Sequence, residues 1–114
     1  MLAKAIARHV RMTSRKVGYV ATPLRKQTVA SALARLSATN RRAATPVAKL
    51  IASAFANARQ QHPELREEDV VISKLVADEG PRWKRFKAAA MGRAARILKR
   101  TTHITVELEK RNGS

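Results

Sequence analysis

The most regular pattern of apolar positions lies in the middle of the chain. Val47, Leu50, Ile51, Ala54, Phe55 and Ala58 recur at i, i+3, i+4, i+7, i+8 and i+11, one continuous stripe on a helix. Thr45 and Pro46 suit its N-cap and first helical position, and His62-Pro63 closes it. Two shorter helices are predicted upstream. Thr13 or Ser14 caps one that carries Val17, Val20 and Leu24, and Pro23 should end or bend it. Thr28 caps another that carries Val29, Leu33 and Leu36. Towards the C-terminus the period changes to two. Thr102, Ile104, Val106 and Leu108 alternate with Thr101, His103, Thr105, Glu107 and Glu109, the signature of a half-buried strand. Asp69–Asp78, "DVVISKLVAD", is rich in β-branched residues and bounded by charge, so it predicts a second strand, with the acidic "ELREED" as the loop before it. Ala3–Met12 is ambiguous: Ile6, Val10 and Met12 make a poor strand alternation, and Leu2, Ile6, His9 and Val10 a fair helix stripe. Helices first and a pair of strands after them make an α+β chain.

Between the two strands the pattern supports two readings. Trp83, Phe86, Ala90, Met91, Ala94, Ile97 and Leu98 fall at helical spacing, and Ala88-Ala89-Ala90 are strong helix formers. Such a helix would be a crossover between parallel strands or a cationic helix lying on a membrane surface. Gly92 opposes it, at a cost of about 1 kcal/mol relative to alanine. The other reading is a long hairpin, turning near Ala89–Gly92, with the flanking strands antiparallel. Periodicity alone favours the helix.

Charge changes the picture more than composition does. Lys and Arg number 24 against 8 Asp and Glu, a net charge of +16. No acid occurs from Met1 to Pro63, where twelve cations stand, nor between Arg82 and Arg100, where eight stand. A chain so unbalanced repels itself and is expected to settle against a polyanion. The 114 residues suit one domain, and only four aromatics (Tyr19, Phe55, Trp83, Phe86) leave an aliphatic core. The absence of cysteine excludes disulfides, thiolate metal sites and a cysteine nucleophile. No apolar run is long enough to span a membrane, and "MLAKAIARHVRM" is too charged for the hydrophobic region of a signal peptide. Nothing suggests catalysis. Asp78 and Glu79 are adjacent on a strand and face opposite ways; a structural role beside arginines at a Gly80-Pro81 bend is expected. His9, His62 and His103 lack ligand spacing, so no metal is expected. Ser14 and Ser31 have no activating base, and no cofactor is implied.

"VADEGPRWKRFKAAAMGRAARILKRTTHITVELE" resembles the C-terminal half of the L-twenty-two family of large-subunit ribosomal proteins. The family landmarks DEGP, KR, a Pro-Arg-Ala-Arg-Gly-Arg-Ala tip and ILKRTSHITV appear here as Asp78–Pro81, Lys84-Arg85, Gly92-Arg93-Ala94 and "ILKRTTHITV" from Ile97. "AKAIARHVRMTSRKV" and "LSATNRRAATPVAKLIASAFANA" resemble its opening strand, first helix start and long helix. The chain departs from the family at the tip, with Ala88-Ala89-Ala90-Met91 in place of Pro-Arg-Ala-Arg.

The resemblance implies three helices packed on a three-stranded antiparallel sheet, with a long projecting β-hairpin. It implies one ribosomal-protein domain over 1–114, of which about 80–100 is the basic hairpin. It implies a structural constituent of the large ribosomal subunit, in a bacterium or an organelle, that binds ribosomal RNA, assists assembly and neighbours other ribosomal proteins. Its tip, Lys87-Ala88-Ala89-Ala90-Met91-Gly92-Arg93, would line the nascent-peptide exit tunnel and meet the nascent chain. Candidate RNA contacts are Arg11, Arg15, Lys16, Arg41, Arg42, Arg82, Lys84, Arg85, Lys87, Arg93, Arg96, Lys99, Arg100, Thr102 and His103. Arg15-Lys16 and Arg41-Arg42 stand beside predicted helix starts, where free N–H groups favour anions. Trp83 and Phe86 would stack on unpaired bases or pack at the hairpin base. The alternatives are a cationic amphipathic membrane-surface protein, without membrane insertion, and an architectural nucleic-acid-binding protein.

Overall fold

The computed structural model describes residues 2–79, 83–88, 94–99 and 101–111; between 83 and 99 only the backbone and its pairing are described. The elements run β1 (Ala3–Val10), α1 (Ser14–Ala21), α2 (Val29–Ser37), α3 (Ala44–Gln61), β2 (Val70–Glu79), β3 (Trp83–Ala88), β4 (Ala94–Lys99) and β5 (Thr102–Lys110). Short 3-10 turns at Thr22–Leu24 and Glu67–Asp69 precede α2 and β2.

Three strands form an antiparallel sheet in the order β1-β5-β2, and the helices cover one face of it. The inward positions of β5, Thr102, Ile104, Val106 and Leu108, are all fully buried. They are the alternation visible in the sequence, because the central strand of a one-side-covered sheet must bury every second residue. Ile72 and Leu75 of β2 and Val17, Val29, Val47 and Ile51 of the helices meet them. Each such side chain contributes about 1.5–3 kcal/mol by leaving water. β1 brings the smaller Ala3, Ala5 and Ala7 to the same layer, packed against α3. Sheet pairing with β5 decides that ambiguous segment as a strand.

The caps act as the sequence suggested at α1 and α2. The Thr13 side chain accepts from the Lys16 N–H at 3.3 Å, and Thr28 from the Ser31 N–H at 3.1 Å. Pro23 sits in the 3-10 turn that ends α1. The start of α3 corrects the sequence reading. Its N-cap is Ala43, not Thr45, and Pro46 stands in the first turn rather than at its first position. This costs the helix no hydrogen bond, since the first i to i−4 bond comes from the Val47 N–H to the Ala43 carbonyl.

Where periodicity favours a helix, the described residues 83–88 and 94–99 form two strands. β3 pairs β4 antiparallel, from Trp83 opposite Lys99 to Ala88 opposite Ala94, as a separate two-stranded ribbon. β2 and β5 are themselves antiparallel, so the parallel crossover is excluded. The turn expected at Ala89–Gly92 and the Gly80-Pro81 bend lie outside the described residues. The Cα radius of gyration is 17.4 Å, against about 13 Å for a compact domain of this length.

Candidate nucleic-acid interface

β1 leaves the sheet through a bulge. Ala7 opposes Ile104 and Val10 opposes Thr102, so Arg8 and His9 together face His103. His9 takes a positive φ of 57°. Its N–H donates to His103 Nδ1 at 3.2 Å, and the two rings meet edge to face with centroids 4.9 Å apart. The extra residue swings the chain towards α1, and the Met12 carbonyl is then held by the Thr102 hydroxyl.

This bend delivers Arg11 to the start of α1, beside the turn that precedes α3. Arg11, Lys16, Arg41 and Arg42 line one open concavity of about 480 Å³, with Met12, Thr13 and Ala43 as its floor. Two helix N-termini converge there. Aligned peptide dipoles leave such ends partly positive, and acids in the first turn usually offset this by about 0.3–1 kcal/mol each. Neither α1 nor α3 has an acid in its first turn, and no side chain caps α3. Instead α1 carries Arg15 and Lys16 in its first turn and Arg41-Arg42 immediately precede α3. The arrangement repels itself when empty and suits an anion such as a phosphate.

Of the fifteen candidate contacts in the sequence, the structure brings Arg11, Lys16, Arg41 and Arg42 to this concavity; Arg15 stands exposed on the same first turn of α1. His103 lies on the outer face of β5, engaged with His9. Thr102 points inward: its side chain is fully buried and donates to the Met12 carbonyl, which holds the arginine-bearing turn in place. Arg82, Arg93 and Arg100 lie outside the described residues, as do Ala89, Ala90, Met91 and Gly92 of the tip. The side chains of Trp83, Lys84, Arg85, Phe86, Lys87, Ala88, Arg96 and Lys99 also fall there, although their backbones belong to the ribbon.

One residue escaped the sequence reading altogether. Tyr19 is 65% exposed, and the Arg41 guanidinium lies over its ring, 4.2 Å from the centroid. Its place on the solvent side of α1, one position before buried Val20, was legible; the approach of Arg41 was not. Two ion pairs lie elsewhere among the described residues. Lys74 Nζ lies 3.6 Å from Glu107 Oε2 on the outer sheet face, and His62 lies 3.9 Å from Glu64. Among the described residues no three His, Cys, Asp or Glu gather as metal ligands, and no helix is long and apolar enough to cross a membrane.

A family model for ribosomal protein L22p/L17e matches residues 5–109. The chain belongs to this family of structural, non-catalytic ribosomal proteins. It is 46% identical over 112 residues to the large ribosomal subunit protein uL22 of Desulfitobacterium hafniense, covering 97% of each chain. It is 45% identical over 117 residues to the protein of the same name in Bifidobacterium animalis, covering 99% of this chain and 98% of that one. The relative from Bifidobacterium longum is 45% identical over 118 residues and matches the whole of this chain.

Proposed function

We propose that this protein is a structural constituent of the large ribosomal subunit that binds its ribosomal RNA through two basic surfaces. The observation that carries this is the convergence of Arg11, Lys16, Arg41 and Arg42 on two acid-free helix starts, in a chain that matches large-subunit relatives from end to end. Arg15 extends that surface, and His103 stands at the bulge behind it. The second surface is the β3–β4 ribbon and its neighbours, with Arg82, Lys84, Arg85, Lys87, Arg93, Arg96, Lys99 and Arg100 gripping phosphates.

The chain acts as one domain in which about 80–100 is a projecting hairpin. The radius of gyration, well above that of a compact chain, supports such a projection. The tip from Lys87 to Arg93 lines the exit tunnel and meets the nascent peptide. The globular part helps fold RNA during assembly and touches neighbouring ribosomal proteins. The ribosome concerned is a cytoplasmic one, as bacterial relatives suggest.

Binding is phosphate neutralisation with release of counterions. With six to ten phosphate contacts, affinity for large-subunit RNA falls by about 10³–10⁵ between 50 and 200 mM salt. The direct test is a sucrose gradient of lysate containing the tagged full-length protein. The tag is expected in the large-subunit and whole-ribosome fractions and absent from small-subunit fractions. Tag found only at the top of the gradient, at low salt, overturns the proposal.

A further inference from the structure

The exposed tyrosine and its arginine stand at the border between two different recesses. On one side is the cationic concavity of Arg11, Lys16 and Arg42. On the other is a smaller recess of about 150 Å³ between α1 and the end of α2, walled by Tyr19, Pro23, Leu24, Leu36 and Arg35. Arg41 lines both. The first has the chemistry of a phosphate site, all cations and helix starts. The second has flat and apolar walls with cations at the rim, the chemistry of an aromatic heterocycle.

Tyr19 has no part in the core. α1 buries Val17, Val20 and Ala21 and turns Tyr19 outward, where the Arg41 guanidinium lies over its ring. A ring held in this way is preorganised for stacking. In a duplex both faces of each base are already covered by neighbours, so only an unpaired, unstacked base can use such a surface.

We propose that Tyr19, Arg41 and Arg35 hold one unpaired nucleobase of the bound RNA in the small recess, while Arg11, Lys16 and Arg42 neutralise the phosphates beside it. The globular part therefore recognises a bulged or looped nucleotide rather than duplex alone. This rests on the RNA-binding reading above and adds to it the class of nucleotide taken.

The test uses the full-length protein and two RNA hairpins of identical stem, one carrying a single bulged 2-aminopurine. Wild-type protein is expected to bind the bulged hairpin about tenfold more tightly, the scale of one base stacked on an aromatic side chain, and to quench the 2-aminopurine. Tyr19→Leu, at an exposed position that spares the core, should lose the preference and the quenching while keeping duplex affinity. Tyr19→Phe should retain both. Arg11→Gln with Arg42→Gln should weaken both hairpins alike. Equal affinity of the wild type for the two hairpins, or an unchanged preference in Tyr19→Leu, overturns the base site and leaves RNA binding standing. Failure of the wild type to bind either hairpin at low salt, or full affinity in the double arginine variant, overturns the RNA reading at this concavity and the base site with it.

Discussion

β5 and the β3–β4 ribbon are both antiparallel strands, yet they are opposite kinds of structure. β5 is paired on both edges and buried on one face by the helices, with Ile104, Val106 and Leu108 wholly removed from water. The ribbon has two strands that pair only with each other among the described residues. An isolated two-stranded ribbon is marginal in water, and nothing in its sequence offers an acid to balance its cations. The difference teaches what hydrophobic periodicity measures. It records which residues must be buried together, and only through that the backbone shape. Where a strand buries one face, the period of two is enforced. A helical spacing such as Trp83, Phe86, Ala94 and Ile97 can therefore stand in residues that pair as strands.

The largest expected contrast is in hydrogen exchange of the free protein. Amides of β5 should exchange only by global unfolding, slower than an unstructured chain by a factor of about 10⁴ or more. Those of β3 and β4 should exchange within about tenfold of an unstructured chain until RNA is added. Slow exchange in β3 and β4 without RNA would erase the distinction between the two regions.

Next is the salt dependence of RNA binding. Lys84→Gln, Arg85→Gln and Lys99→Gln together should lower the slope of log affinity against log salt by about 2–3, at about 0.7–0.9 for each lost phosphate contact. Urea unfolding of the globular part should be unchanged. An unaltered slope would remove the ribbon from the RNA interface.

Third, Ile104→Ala should destabilise the protein by about 2–5 kcal/mol in urea unfolding, because it empties part of the core. Ile97→Ala, in a ribbon that pairs with no strand of the sheet among the described residues, should cost less than about 0.5 kcal/mol. Similar losses at both sites would mean that the ribbon belongs to the folded core.

Smaller effects sharpen the boundary of the globular part. Thr28→Ala removes the acceptor for the Ser31 N–H and should cost about 1 kcal/mol. Lys74→Ala breaks the ion pair to Glu107; with the lysine side chain half exposed to solvent, the loss should stay within about 1 kcal/mol and shrink in salt. Neither variant should alter exchange in the ribbon.

Much of the fold was legible because local signals and burial agreed. Thr13 and Thr28 cap helices as their type and position predict, and the stripe from Val47 to Ala58 is the buried face of α3. The start of α3 was misread because Thr45-Pro46 imitates a cap, whereas packing of Ala43 and Ala44 into the core sets the true boundary. The basic concavity was half legible. Lys16, Arg41 and Arg42 were visible beside helix starts, but not that the starts of α1 and α3 converge there, nor that Arg11 joins them. The alternation of β5 placed Thr102 on the face of Ile104, Val106 and Leu108, and there it is a buried donor to the Met12 carbonyl.

By itself the sequence determined the helices, the alternation of β5, the charge imbalance and the family, because caps, periodicity and motif order are local properties of the chain. Only the tertiary structure decided that a bulge sets His9 against His103, and that Arg11, Lys16, Arg41 and Arg42 share one cavity beside Tyr19. Each of these depends on residues far apart in sequence meeting across the sheet or between helices, and no local pattern carries that information.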